Sequence, residues 1–91
     1  MNPREKAILA LSRVEEPGVS VRICTEAPSD GASVEFFYEQ FESCPKPDLA
    51  LIRANPIVWA QFIERVAELR KEGESPLYAT RRSYLELRGE L

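Results

Sequence analysis

The sequence predicts a small α+β domain: an N-terminal helix, a β-hairpin, then a short helix and a C-terminal antiparallel helix pair. Three observations carry that prediction. A capping residue stands directly before a proline at Asn2-Pro3, Asn55-Pro56 and Ser75-Pro76. Apolar and polar residues alternate from Val19 to Glu26. Apolar side chains recur at helical spacing from Trp59 to Leu69.

The Asn-Pro and Ser-Pro pairs are helix-start signals. Asn and Ser side chains accept hydrogen bonds from the free amides of a first helical turn. Proline at the first helical position loses no donor that the helix needs, and its φ already suits the turn. The first helix is therefore expected from Pro3 to about Val14. Glu5 stands three residues after Asn2, close to a capping box. Ala7, Ile8, Leu11 and Val14 form its apolar stripe, and the "EEPG" that follows is read as its end.

In "VSVRICTE", Val19, Val21, Ile23 and Thr25 alternate with Ser20, Arg22, Cys24 and Glu26. That period of two predicts a half-buried strand. The turn formers of "APSDGAS" follow it. The stretch "SVEFFYEQF" then fits two patterns. Val34, Phe37, Tyr38 and Phe41 recur at helical spacing, while its aromatics also favour a strand. A lone strand over residues 19–26 would bury unpaired backbone groups, so the hairpin is the preferred reading.

"CPKPD" breaks the chain, and Asp48 can cap a short helix from Leu49 to Ala54. Proline disfavours the α conformation in the residue before it, so the chain should turn at Asn55 and start again at Pro56. The new helix puts Trp59, Phe62, Ile63, Val66 and Leu69 on one face and Gln61, Glu64, Arg65, Glu68 and Glu72 on the other. Gly73 stops it. The last helix runs from Pro76 to about Arg88, with Leu77, Tyr78, Tyr84, Leu85 and Leu87 as its apolar members.

Length and composition bound the function. At 91 residues the chain is one domain, with helix plus hairpin over residues 1–44 and a helical part over 45–91. Its 44% apolar and 30% charged residues suit a globular protein. No run approaches the ~20 apolar residues of a membrane span, and the N-terminus lacks the pattern of an export signal. A cytoplasmic protein is expected, with Cys24 and Cys44 as reduced thiols.

The chain has no histidine. That removes Ser-His and Cys-His nucleophile pairs, His general bases and His-metal sites together. Two cysteines twenty residues apart fit no zinc pattern. The four glycines are scattered singly, so no phosphate-binding loop is present. Neither catalysis nor a cofactor or metal is expected. Net charge is −3, split as −4 over residues 1–44 and +1 over 45–91. A phosphate-driven grip on nucleic acid normally shows a basic surplus, so it is the weaker reading.

Over residues 50–88 the pattern resembles a family of small phage and prophage proteins. The matching positions are Asn55, Pro56, Val58, Trp59, Phe62, Ala67, Gly73, Ser75, Glu86 and Arg88. These form an Asn-Pro-x-Val-aromatic opening, an apolar helix, a glycine and a second helix ending in Glu and Arg. The resemblance implies a phage-type origin and supplies no catalytic residues. It covers the C-terminal half only.

Two candidate surfaces follow. Phe36, Phe37, Tyr38 and Phe41, with Glu35 and Glu39, form a dense aromatic and acidic cluster. Exposed apolar patches of that kind mark interfaces. The expected function is a non-catalytic phage-type accessory protein that binds another protein, with inhibition or modulation of a host or defence factor as its task. Homodimerisation is another use of the same cluster. The alternative is a small helix-turn-helix-like DNA-binding regulator. There the last helix would present Tyr78, Thr80, Arg81 and Arg82 to nucleic acid.

Overall fold

The computed structural model describes residues 2–15, 17–26, 50–52 and 54–89. Every element among them is helical. Helix α1 spans Pro3–Ala10 and continues into a 3₁₀ segment over Leu11–Glu15. Helix α2 spans Pro17–Glu26, α3 spans Pro56–Lys71 and α4 spans Pro76–Gly89. Residues 50–52 and 54 are also helical.

The α+β prediction is overturned, because the segment expected to be the first hairpin strand is helix α2. The reason lies in one side chain. Val19 and Ile23 are four residues apart, which puts them on the same face of an alternating strand but also one helical turn apart, so both patterns bury them. Val21 separates the two. A strand would bury it beside Val19 and Ile23, whereas it is 49% exposed. Ser20 is fully buried instead, and Cys24 packs half-buried against the core. Val19, Ser20, Ile23 and Cys24 thus form one helical face. The Thr25 hydroxyl donates to the Val21 carbonyl at 3.0 Å, a local bond that suits a β-branched polar residue in a helix. The β preference of "VSVRICT" yields to packing against α4 and the 3₁₀ segment. Pro17, read in sequence as the end of the first helix, is where the second begins. The second expected strand, over residues 34–42, and the Asp48 cap lie outside the described residues.

The other helix starts differ in their chemistry. At α1 the Asn2 carboxamide oxygen accepts from the Glu5 amide at 2.8 Å, and its nitrogen donates to the Glu5 carboxylate at 3.1 Å. That is a capping box closed through side chains. At α4 the Ser75 hydroxyl accepts from the Tyr78 amide at 3.2 Å. Asn55 precedes α3 but makes no side-chain capping bond. Its φ of −137° and ψ of 77° lie away from the extended geometry that Asn2 adopts. Its backbone serves the turn instead, with the amide donating to Ile52 and the carbonyl accepting from Val58.

The end of α3 is a Schellman turn. Gly73 has φ +91°, its amide donates to the Arg70 carbonyl, and the Glu74 amide donates to Leu69. Four residues then carry the chain into α4, which packs against α3, α2, the 3₁₀ segment and α1. The core takes Ile8, Leu11 and Val14 from the first segment, each fully buried. From α3 it takes Trp59, Phe62, Ile63, Val66 and Leu69, the face that the apolar spacing predicts, and Val58 in addition. The Trp59 and Phe62 rings meet at 5.8 Å between centroids, tilted by 49°.

Candidate interaction surface on the last helix

Helix α4 has contacts on most sides, so its buried face is built from small residues. Ala79, Thr80 and Ser83 let neighbouring helices approach, and Tyr84 and Leu87 fill the remaining space. The two hydroxyls are satisfied inside the core. Ser83 donates to the Ala79 carbonyl at 2.7 Å. The Thr80 hydroxyl lies 2.9 Å from the Pro76 carbonyl, and the Leu77 and Val14 carbonyls are also in reach.

This inward face fixes what points outward. Tyr78 is 47% exposed and Leu85 is 45% exposed. Arg81, Arg82 and Arg88 are exposed beside them. Tyr78, Arg81, Leu85 and Arg88 follow one another at steps of three, four and three residues, which is a single helical stripe. Arg81 and Arg88 have no ion-pair partner among the described residues. Arg82 reaches Glu86 only at 3.7 Å.

A charged clamp borders this stripe. Arg65 of α3 holds the Glu86 carboxylate with both ends of its fork, Nε to Oε2 at 2.9 Å and Nη2 to Oε1 at 3.3 Å. Its remaining nitrogen reaches Glu68 at 3.1 Å. These hydrogen bonds hold the Glu86 carboxyl below the usual carboxylate range and raise the Arg65 guanidinium above its own. The groove between α3 and α4 that contains this clamp encloses about 380 Å³. Arg65, Glu68 and Glu86 in it are engaged with one another, and the Arg65–Glu86 pair links the two helices. Among the described residues no group of three or more acidic or cysteine side chains is placed to hold a metal ion. Burial pushes the Cys24 thiol up from its ordinary range, partly offset by the Arg70 charge, which works against a reactive thiolate.

Of the residues proposed for nucleic acid, Tyr78 and Arg81 lie on the exposed stripe, Arg82 is exposed beside it, and Thr80 faces the core. Leu85, read in the sequence as an apolar member of the last helix, stands outside the core. Leu85, Arg88 and the clamp between Arg65 and Glu86 were not anticipated as parts of a surface. Counting Ala79, Thr80 and Ser83 as one small-residue face would have exposed the stripe opposite. Phe36, Phe37, Tyr38, Phe41, Glu35 and Glu39 lie outside the described residues. No family model, curated protein or solved structure matches the chain.

Proposed function

We propose that this chain is a non-catalytic, phage-type accessory protein that works in the host cytoplasm by binding another protein. The outward stripe of α4 supplies part of its contact surface. The observation that carries this reading is the pairing of Tyr78 and Leu85, each nearly half exposed two turns apart, with Arg81 between them. Tyr and Arg are the residue types that interfaces concentrate, because they combine apolar area with directed hydrogen bonds. No helix among the described residues is long and apolar enough to cross a membrane, which agrees with a surface presented in water.

The second reading, nucleic-acid binding by α4, is favoured by the same exposed Tyr78, Arg81 and Arg82. Two facts weigh against it. Thr80, on the turn that would read bases, is buried. The chain as a whole is acidic, at −3.

The two readings separate in one experiment. The immobilised chain is exposed to bacterial lysate with nuclease present. Protein binding predicts a partner that survives nuclease and is lost from the Y78D/L85D variant. Loss of every partner on nuclease treatment refutes protein binding and supports the nucleic-acid reading.

A further inference from the structure

We infer that copies of this chain associate by packing the α4 stripe of one, antiparallel, on an outward stripe of α3 of another. This rests on reading the α4 stripe as a protein-binding surface, and it names an occupant and a register.

Helix α3 has an outward stripe of its own. Ile57, Ala60, Glu64, Ala67 and Lys71 follow one another at steps of three, four, three and four residues, and each is exposed. Ile57 is 65% exposed despite its apolar side chain. Glu64 has no ion-pair partner among the described residues, and the carboxylates that Arg65 holds are those of Glu68 and Glu86. An open depression of about 500 Å³ lies against this stripe, lined by Ala60, Ile63, Glu64, Ala67, Glu68 and Lys71. Both stripes are turned away from the contact that α3 and α4 make within one chain. There the Arg65–Glu86 clamp joins the helices, and Phe62, Val66, Ala79 and Ser83 face inward. A chain therefore cannot lay its own α4 stripe on its own α3 stripe, and a second copy must supply it.

The two stripes match residue for residue when the helices run antiparallel. Tyr78 to Arg81 is three residues and Arg81 to Leu85 is four, while Ala67 back to Glu64 is three and Glu64 back to Ala60 is four. Arg81 then faces Glu64, Tyr78 lies over Ala67 and Leu85 lies over Ala60. A bulky side chain meets a small one at both seats, and opposite charges meet between them. One step further, Arg88 crosses Ile57, whose exposed side chain the arginine stem covers. Lys71 falls beyond Tyr78, at the start of the facing α4 and beside Glu74. The parallel arrangement also seats Tyr78 and Leu85 on the two alanines, but it brings Lys71 to Arg88, and that like-charge pair is repelled. The α4 stripe is short, ~15 Å at 1.5 Å per residue. One such contact falls below the roughly 800 Å² per partner of a stable interface, so the association is weak. Each copy offers both stripes, so the contact is heterologous and need not stop at two copies.

The test is a charge swap on the full-length chain, read as average mass by sedimentation up to ~1 mM, with circular dichroism to establish that each variant is folded. The wild type should gain mass with concentration, and less so as salt rises. R81E and E64R should each weaken association by roughly fivefold. The R81E/E64R double variant should associate again, and so should an equimolar mixture of the two single variants. A60R/A67R fills both seats with good helix formers on an exposed face, and should abolish association without changing the circular dichroism. Should a reversal unfold the chain, R81Q and E64Q provide the milder comparison, each weakening association about twofold. A wild type that stays monomeric overturns the inference, as does association that neither reversal weakens or a double variant that fails to recover. A monomer that still captures a lysate protein through Tyr78 and Leu85 overturns this inference and leaves the proposed function standing.

Discussion

Glu86 shows how one carboxylate can serve two elements. It belongs to α4, yet its main partner is Arg65 of α3, which grips it at 2.9 and 3.3 Å, while Arg82 of its own helix stands off at 3.7 Å. Sequence spacing points to Arg82, four residues away, because that pair is visible in a helical pattern. The pair with Arg65 depends on how the two helices are joined. Its effect on stability has a definite sign. The carboxyl is held below its ordinary value in the folded chain, so the folded state favours the ionised form. That contribution is present above the ordinary carboxylate range and is lost as pH falls through the folded value. The E86Q variant should therefore unfold at lower urea than the wild type at neutral pH. The two midpoints should converge in acid, below the ordinary carboxylate range. A difference that is equal at both pH values would show that charge is not the cause. Both partners are partly exposed, so the effect should be modest and sensitive to salt.

At the scale of the element, the boundary of α3 and the identity of α2 each rest on a single residue. Gly73 has a positive φ, and a Cβ placed there would meet nothing within 4 Å. The cost of G73A is therefore conformational alone, about 1 kcal/mol by urea denaturation, and G73N should cost less because Asn tolerates the left-handed region. An equal loss for both would point to something other than backbone geometry. For α2, lysine substitutions distinguish helix from strand. V19K places a charge at a position only 7% exposed and should cost about 3 kcal/mol or more. V21K lies on the open face and should change stability by ~0.5 kcal/mol or less. Equal damage from both would restore the alternating face and refute the helix. These residues also explain what could be read from the sequence. Helix starts at Pro3, Pro56 and Pro76 were legible because cap, proline and apolar stripe agree there. Helix α2 was not, because Val19 and Ile23 satisfy both periods and the β-branched run tips the choice the wrong way. The exposure of Val21 that decides it is set by how α2 packs against α4 and the 3₁₀ segment.

At the scale of the molecule, α4 is the element on which the rest converge, and its two faces carry different duties. Its inner face was poorly legible because Ala79, Thr80 and Ser83 are not strongly apolar. Their value is their small size where several helices approach, a property of the assembled packing. For the same reason Arg81 and Arg82 are recognisable as surface residues, whereas Thr80, grouped with them by the sequence, is buried. The convergence predicts how the molecule unfolds. Helix α4 touches α3 on one side and α1, the 3₁₀ segment and α2 on others. A79L inserts volume at a fully buried position among these contacts and should cost about 2 kcal/mol. Trp59 on α3 gives a local fluorescence signal, and far-ultraviolet circular dichroism reports all the helices together. If α4 ties the described elements into one cooperative unit, both signals should give the same urea midpoint in the wild type, and A79L should lower both by the same amount. If the α3–α4 pair were a unit independent of α1 and α2, A79L would shift the Trp59 transition and leave part of the helical signal at its original midpoint. That split would show that the outward stripe is carried by the helix pair alone.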